Sequence, residues 1–189
     1  DQWRSRGLGD VYKRQVSTLS SSNALKDLTS SYGSNYYITP VGEMNVVKKM
    51  KEVNSVVGGE GGGGIIYPDL HYGRDALVGV ALFIALLVKK ESKVSLLKND
   101  YPEYFMKKLK ISMKNHKVID SAFKEILKKY SDLNPNTEDG IRINFKDSWV
   151  HMRKSNTEPI IRIFSESDTQ KKADDVAIKI QNEILSLID

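Results

Sequence analysis

From residue 16 onward the apolar positions recur with two alternating periods. Residues 16–20 read as a short strand that begins in mid-element. Residues 23–32 read as a helix with Leu25 and Leu28 on one face and Gly33 as its stop. Tyr36, Tyr37 and Ile38 predict a strand over 35–39 that ends at Pro40. Val46, Val47, Met50 and Val53 share one face of a helix over 43–53. Strands over 55–58 and 65–67 flank a run of glycines. The apolar run 76–88 predicts a long helix over about 75–90, buried on most sides, with Asp75 as its N-cap.

The pattern changes over 91–117, where lysines, a proline, Tyr101 and Tyr104 replace the apolar run. This stretch reads as a linker with a short extended piece near 109–113. A second unit follows. Val118, Ile119, Ala122, Phe123, Ile126, Leu127 and Tyr130 form one helical face. Asn134-Pro135 and Asp139-Gly140 signal turns. Ile141, Ile143 and Phe145 alternate with polar residues as in a half-buried strand. Strands are expected over 148–153 and 159–166. Ala173, Val176, Ala177, Ile180, Ile184 and Leu187 stripe a final helix.

Strands alternating with helices predict an α/β fold: a partial, parallel-type α/β layer, then a small α+β domain with helices packed on one face of a sheet. The expected boundaries are 16–98 for the α/β domain, 99–115 for the linker and 116–189 for the α+β domain. Residues 1–15 show neither period, and Trp3 stands alone among Arg, Ser and Gly. They are expected to be foreign sequence or a disordered tail.

Composition narrows the function classes. The chain has 189 residues, 40% hydrophobic and 28% charged, as in an ordinary globular protein. The formal charge of +5 comes from scattered lysines rather than a basic block interleaved with aromatics, so no nucleic-acid partner is expected. The longest apolar run falls short of the about 20 residues a bilayer needs. With no secretory pattern, the expected location is cytoplasmic, without a membrane partner. There is no cysteine, which removes disulfides and thiolate metal sites. His71, His116 and His151 are far apart and lack carboxylate-rich spacing, so no metal site is expected on this chain.

Two loops carry candidate chemistry. The first runs Gly58-Gly59-Glu60-Gly61-Gly62-Gly63-Gly64 after a strand. Glycines let backbone approach a ligand closely, and a carboxylate accepts hydrogen bonds from adjacent hydroxyls. A flexible linker is the competing reading. No Lys-Ser/Thr follows, so it is not a P-loop. The second runs Arg153-Lys154-Ser155-Asn156-Thr157-Glu158-Pro159, with Arg162 beyond. Its cations, hydroxyls and amide suit a phosphate dianion. A polar turn with two solvent-facing arginines is the alternative. Arg162, however, interrupts Ile160, Ile161, Ile163 and Phe164, where a charge needs a partner.

GGEGGGG followed by YPD and YGRD, then RKSNTEPIIR downstream, resembles the α-D-phosphohexomutases, and within them the phosphoglucosamine mutases and phosphomannomutase/phosphoglucomutases. The resemblance runs from residue 16 to the end. It implies most of the third of four domains, with the sugar-binding loop, and the fourth, with the phosphate-binding loop. By this resemblance Glu60, with Gly61 and Gly62, grips the sugar. Arg153, Ser155, Asn156 and Thr157, with Arg162, bind the substrate phosphate. It implies a hexose phosphate substrate, most of all glucosamine phosphate, and an isomerase working through a phosphoserine and a bisphosphate intermediate. Two positions depart from the family pattern. Gly62 stands where Ser or Asn is usual, and Glu43 stands where His or Asp often follows the glycine.

Neither the phosphoserine loop nor the aspartate-rich Mg²⁺ loop of the family is found in this sequence. No catalytic residue is therefore assigned, and Mg²⁺ is expected only in the full-length enzyme, on ligands outside this chain. The isolated chain is expected to lack turnover, its natural partners being the missing N-terminal domains. Without them, the first domain is expected to expose apolar surface. The alternative reading is a non-catalytic phosphosugar- or nucleic-acid-binding module.

Overall fold

The structure is a computed structural model and describes residues 14–112, 116–155 and 157–188. It separates into two compact units between Glu103 and Tyr104.

In the first unit a five-stranded sheet has the order β2-β1-β3-β4-β5. β1 (Arg14–Thr18), β2 (Asn35–Thr39) and β3 (Val57–Gly59) are parallel, joined through helices α1 (Asn23–Ser31) and α2 (Glu43–Val53). β4 (Ile65–Tyr67) and β5 (His71–Arg74) then run antiparallel, which makes the sheet mixed. α2 seals one side: Val46, Val47 and Met50 are buried with Val16 and Ile66. Gly58 is fitted to this contact, because a Cβ there would lie 2.3 Å from Met50 Sδ. The three parallel strands deliver their C-terminal loops to one sheet edge, the usual place for ligands in α/β sheets.

Four expectations are corrected here. β1 starts at Arg14, so Arg14 and Gln15 belong to the fold; residues 1–13 lie outside the described residues. Pairing on both sides sets the strand's start, since Gln15 pairs with both Tyr36 and Val57. The strand expected over 55–58 is Val57–Gly59, because the Ser55 hydroxyl bonds the carbonyls of Arg14 and Val57. Leu25 is exposed, and Thr29 is the residue α1 buries. Finally, α3 (Ala76–Lys90) is not buried on most sides: none of its residues is buried, and Leu77 is 80% and Val88 72% exposed. It approaches the sheet at Gly79, where a Cβ would lie 3.2 Å from Ile65 Cγ1. Its other faces have no cover among the described residues of this unit. Asp75 is its N-cap as expected, accepting from Leu77 N and Val78 N. A short turn of helix, α4 (Val94–Leu97), buries Leu97.

In the second unit β6 (Phe105–Ser112), β7 (Ile141–Asn144), β8 (Ser148–Lys154) and β9 (Ile160–Ser167) form an antiparallel sheet of order β6-β9-β8-β7. Helices α5 (His116–Lys129) and α6 (Gln170–Ile188) contribute Ile119, Ile126, Ile180 and Ile184 to one core. Ile141, Ile143, Val150, Met152, Ile161 and Ile163 meet them from the sheet. The expectation of a linker over 99–115 is corrected: β6 is a full strand, paired with β9 from Phe105↔Ser167 to Ser112↔Ile160. As the edge strand it exposes Lys108 and Lys110, which gave it the look of solvated chain. The opposite sheet face is polar and aromatic. There Arg142 stacks 4.2 Å over the Trp149 ring, and Trp149 Nε1 donates to Glu166 at 2.9 Å.

Candidate functional site: a carboxylate loop and a cationic strand row

β3 and β4 form a tight hairpin around the glycine loop. Glu60 N donates to Gly64 O at 3.1 Å, and Gly63 N donates to Glu60 O at 2.9 Å. Glycine is required at two points. A Cβ on Gly59 would sit 2.5 Å from Gly64 O, and Gly63 has φ +92°. The loop is thus a closed turn, not a flexible linker. Gly61 and Gly62 are exposed at its tip, with open space beside Gly62.

The Glu60 side chain is turned inward, 18% exposed. Its Oε1 accepts from Gly42 N at 3.1 Å and its Oε2 from Arg74 Nη1 at 3.1 Å. Arg74, on β5, also donates to both oxygens of Glu43, from N at 3.1 Å and from Nε at 2.9 Å. The Arg74 backbone N–H, then its guanidinium, hold the Glu43 carboxyl below its ordinary range. Glu43 opens α2 behind the N-cap Gly42, where the helix dipole favours an anion. Arg74 thus bridges two carboxylates, Glu60 in the glycine loop and Glu43 at the start of α2. β5 itself was not foreseen, because His71-Tyr72-Gly73-Arg74 carries no alternation of burial.

In the second unit Arg153 ends β8 and Arg162 lies within β9, and the two are directly opposite in the ladder. Lys110 of β6 lies opposite Arg162 on its other side. Directly opposed residues share a sheet face, so three cations form one row across three strands on the face away from the helices. Like charges so placed repel unless an anion joins them. Arg153 Nε and Arg162 Nε are both buried without a hydrogen bond among the described residues. The nearest acid to Arg153, Asp139 Oδ2, is 3.9 Å from Nε, too far for one. Glu158 pairs with the other end of Arg162, through Nη2.

The connecting loop is pinned at its base, where Ser155 N donates to Ile160 O at 2.9 Å. The Ser155 and Thr157 hydroxyls are 3.4 Å apart beside the arginines in sequence. Asn156 lies outside the described residues. The residue missed from sequence is Lys110; only recognising β6 as a strand could have revealed it. Among the described residues no group of three or more His, Asp or Glu side chains is placed to hold a metal ion. No helix among them is long and apolar enough to cross a membrane.

The sequence pattern of the phosphoglucomutase/phosphomannomutase α/β/α domain III matches residues 4–105, and that of the C-terminal domain matches residues 109–183. The chain belongs to the phosphoglucomutase/phosphomannomutase family, and it corresponds to two of that family's domains. A phosphoglucomutase/phosphomannomutase of Thermococcus kodakarensis is 36% identical over 90% of this chain and 38% of its own length. A phosphoglucosamine/phosphogalactosamine mutase of Sulfurisphaera tokodaii is 32% identical over 99% of this chain and 41% of its own. The chain therefore spans about two fifths of these relatives, which are isomerases of sugar phosphates. Among solved structures, a family protein from Burkholderia thailandensis superposes with a TM-score of 0.72 at 20% identity, over 93% of this chain and 37% of that one. The N-acetylphosphoglucosamine mutase of Aspergillus fumigatus, solved with GlcNAc-6P and magnesium, gives 0.68 at 13% identity, over 96% and 40%. These likenesses establish the fold.

Proposed function

We propose that this chain is the substrate-gripping part of a phosphohexomutase that interconverts hexose 1-phosphate and hexose 6-phosphate, with a 2-amino-2-deoxyhexose phosphate, glucosamine phosphate, as substrate. The observation that carries the reading is the Arg153–Arg162 pair, opposed across a ladder with both Nε groups buried and without hydrogen bonds among the described residues. A phosphate dianion offers acceptors to both forks and removes their mutual repulsion. Ser155, Asn156 and Thr157 add neutral donors. Glu60 accepts from sugar hydroxyls and so orients the ring. The sugar preference rests on charge: Glu43 and Glu60 share the single cation Arg74, leaving a net −1 that favours an ammonium at C2 over a hydroxyl. The name of the Sulfurisphaera relative points the same way.

In the full-length enzyme, phosphoryl transfer runs through a phosphoserine and a bisphosphate intermediate, supplied by domains outside this chain. The residues here hold the phosphate that is not being transferred and orient the ring. Because the clamp recognises phosphate rather than one end of the sugar, it serves both half-reactions. The isolated chain is expected to bind without turning over. Amide NMR titration with inorganic phosphate and glucosamine 6-phosphate checks this. Ser155 and Thr157 should shift and saturate with both ligands, and Arg162→Met should weaken both by about tenfold, as expected for losing a charge-assisted pair. A phosphate loop that stays silent at high ligand would overturn the reading.

A further inference from the structure

The glycine loop, the turn at residues 40–42 and β5 come together at one side chain. Arg74 places Nη1 on Glu60 at 3.1 Å and, through N and Nε, occupies both oxygens of Glu43 at 3.1 and 2.9 Å. Glu60's remaining fixed contact is the Gly42 backbone N–H, one residue before Glu43. The two acids are therefore coupled twice, once through the chain at 42–43 and once through the guanidinium.

The glycine loop is shaped to admit this arginine. A Cβ on Gly64 would meet Arg74 Cδ at 2.5 Å and Cγ at 3.0 Å. Replacing Gly64 with any other residue would push the arginine off its path. Gly73, beside it, lies close under the His71 ring, where a Cβ would be 3.1 Å from Nδ1. An ordinary surface ion pair has no such steric provision and contributes little. This pair of contacts is set in backbone.

We infer that Arg74 is the positioning residue of the sugar site: it ties Glu60 to Glu43, so that the two carboxylates face the ring as one acceptor surface with a single net negative charge. The inference rests on the proposed sugar-phosphate function and assigns the second acid, Glu43, to the same recognition surface. Arg74 fixes which lone pairs of Glu60 point outward, because one is taken by its own Nη1 and one by Gly42 N. Removing it takes away the contacts that hold the Glu43 carboxyl below its ordinary range and frees the Glu60 carboxylate from its fixed orientation.

Binding of glucosamine 6-phosphate and of inorganic phosphate to the 189-residue chain, measured in parallel by amide NMR, tests this. Arg74→Gln should weaken the sugar phosphate by about tenfold, the scale of one charge-assisted contact, while phosphate alone changes less than about twofold. Arg74→Lys should fall between, keeping charge but losing the fork. In Arg74→Gln the ¹³C titration midpoint of the Glu43 carboxyl should rise, which reports the lost contact, and sugar-phosphate affinity should acquire a pH dependence in the acidic range; a purely structural arginine would leave the affinity without that dependence. If Arg74→Gln fails to fold, Glu43→Gln carries the test, since it removes Arg74's anchor and leaves Glu60 paired; sugar-phosphate affinity should again fall and phosphate affinity hold. Unchanged sugar-phosphate affinity in these variants, with Glu60→Gln still harmful, would overturn the positioning role and leave the proposed function standing. A wild-type chain that binds phosphate but gains nothing from the sugar would overturn the inference as well. Loss of phosphate binding itself would instead count against the proposed function.

Discussion

His151 is fully buried in β8, and its Nε2 donates to the Asp139 carbonyl oxygen at 2.6 Å. Burial pulls its basicity below the ordinary value of 6.5; Arg142 and Arg153 push the same way, and the Asp139 contact opposes them. The unfolded chain accepts a proton near pH 6.5 that the folded imidazole refuses. Stability of the second unit is therefore intact above that value and falls as the pH drops below it, with a slope of at most about 1.4 kcal/mol per pH unit for one proton. Thermal melts between about pH 8 and pH 5 should show this loss, and His151→Gln should flatten it. Superimposable profiles for the two proteins would exclude His151 as its origin. From sequence His151 reads as a surface or turn histidine, and its burial corrects that reading. Only the pairing of β8 with both neighbours encloses the ring.

At the scale of elements, what was legible had its cause inside the element. α2, β2, β4 and the Asp75 cap were readable because one face, one strand or one side chain determines them. β6 and β5 were not, because their order comes from partners: β6 is held by eight rungs to β9 while exposing lysines, and β5 exists to hang Arg74 beside β4. The phosphate loop was legible as residue types, but the confrontation of Arg153 with Arg162 and Lys110 is a matter of register, which no single strand encodes. Register also explains Gly140, at φ +73° ahead of β7. A Cβ there would lie 2.2 Å from Met152 O and 2.8 Å from Arg153 Cα. Gly140→Ala should thus displace β8 at the clamp. We expect a loss of about 1–3 kcal/mol or more in the second unit, the usual range for strained backbone, together with weaker phosphate binding. A chemical-denaturation midpoint equal to wild type would refute this.

At the scale of the molecule, each unit has its own core, but they are unequally covered. The second closes an apolar cluster between two helices and a sheet. The first leaves Leu77, Val80, Phe83, Ile84 and Val88 of α3 exposed. That apolar surface was anticipated for a domain without its neighbours, even though α3 itself was expected to be buried. Both ends of α3 are nevertheless closed locally. The Asp75 carboxylate takes two N–H groups at the start, and Glu91, in the left-handed region at φ 48°, turns the chain at the end. A helix finished at both ends can keep its shape while its side remains wet, so the greasy face is a persistent surface rather than a passing one. Handling of the purified chain should then be governed by α3 and not by the +5 net charge: salting-out and adsorption to hydrophobic resin would set in early. Leu77→Lys with Ile84→Glu should raise the solubility limit and cut binding of a fluorescent apolar dye, without lowering the melting temperature. A shelf life decided by one uncovered helix is the practical signature of this fold.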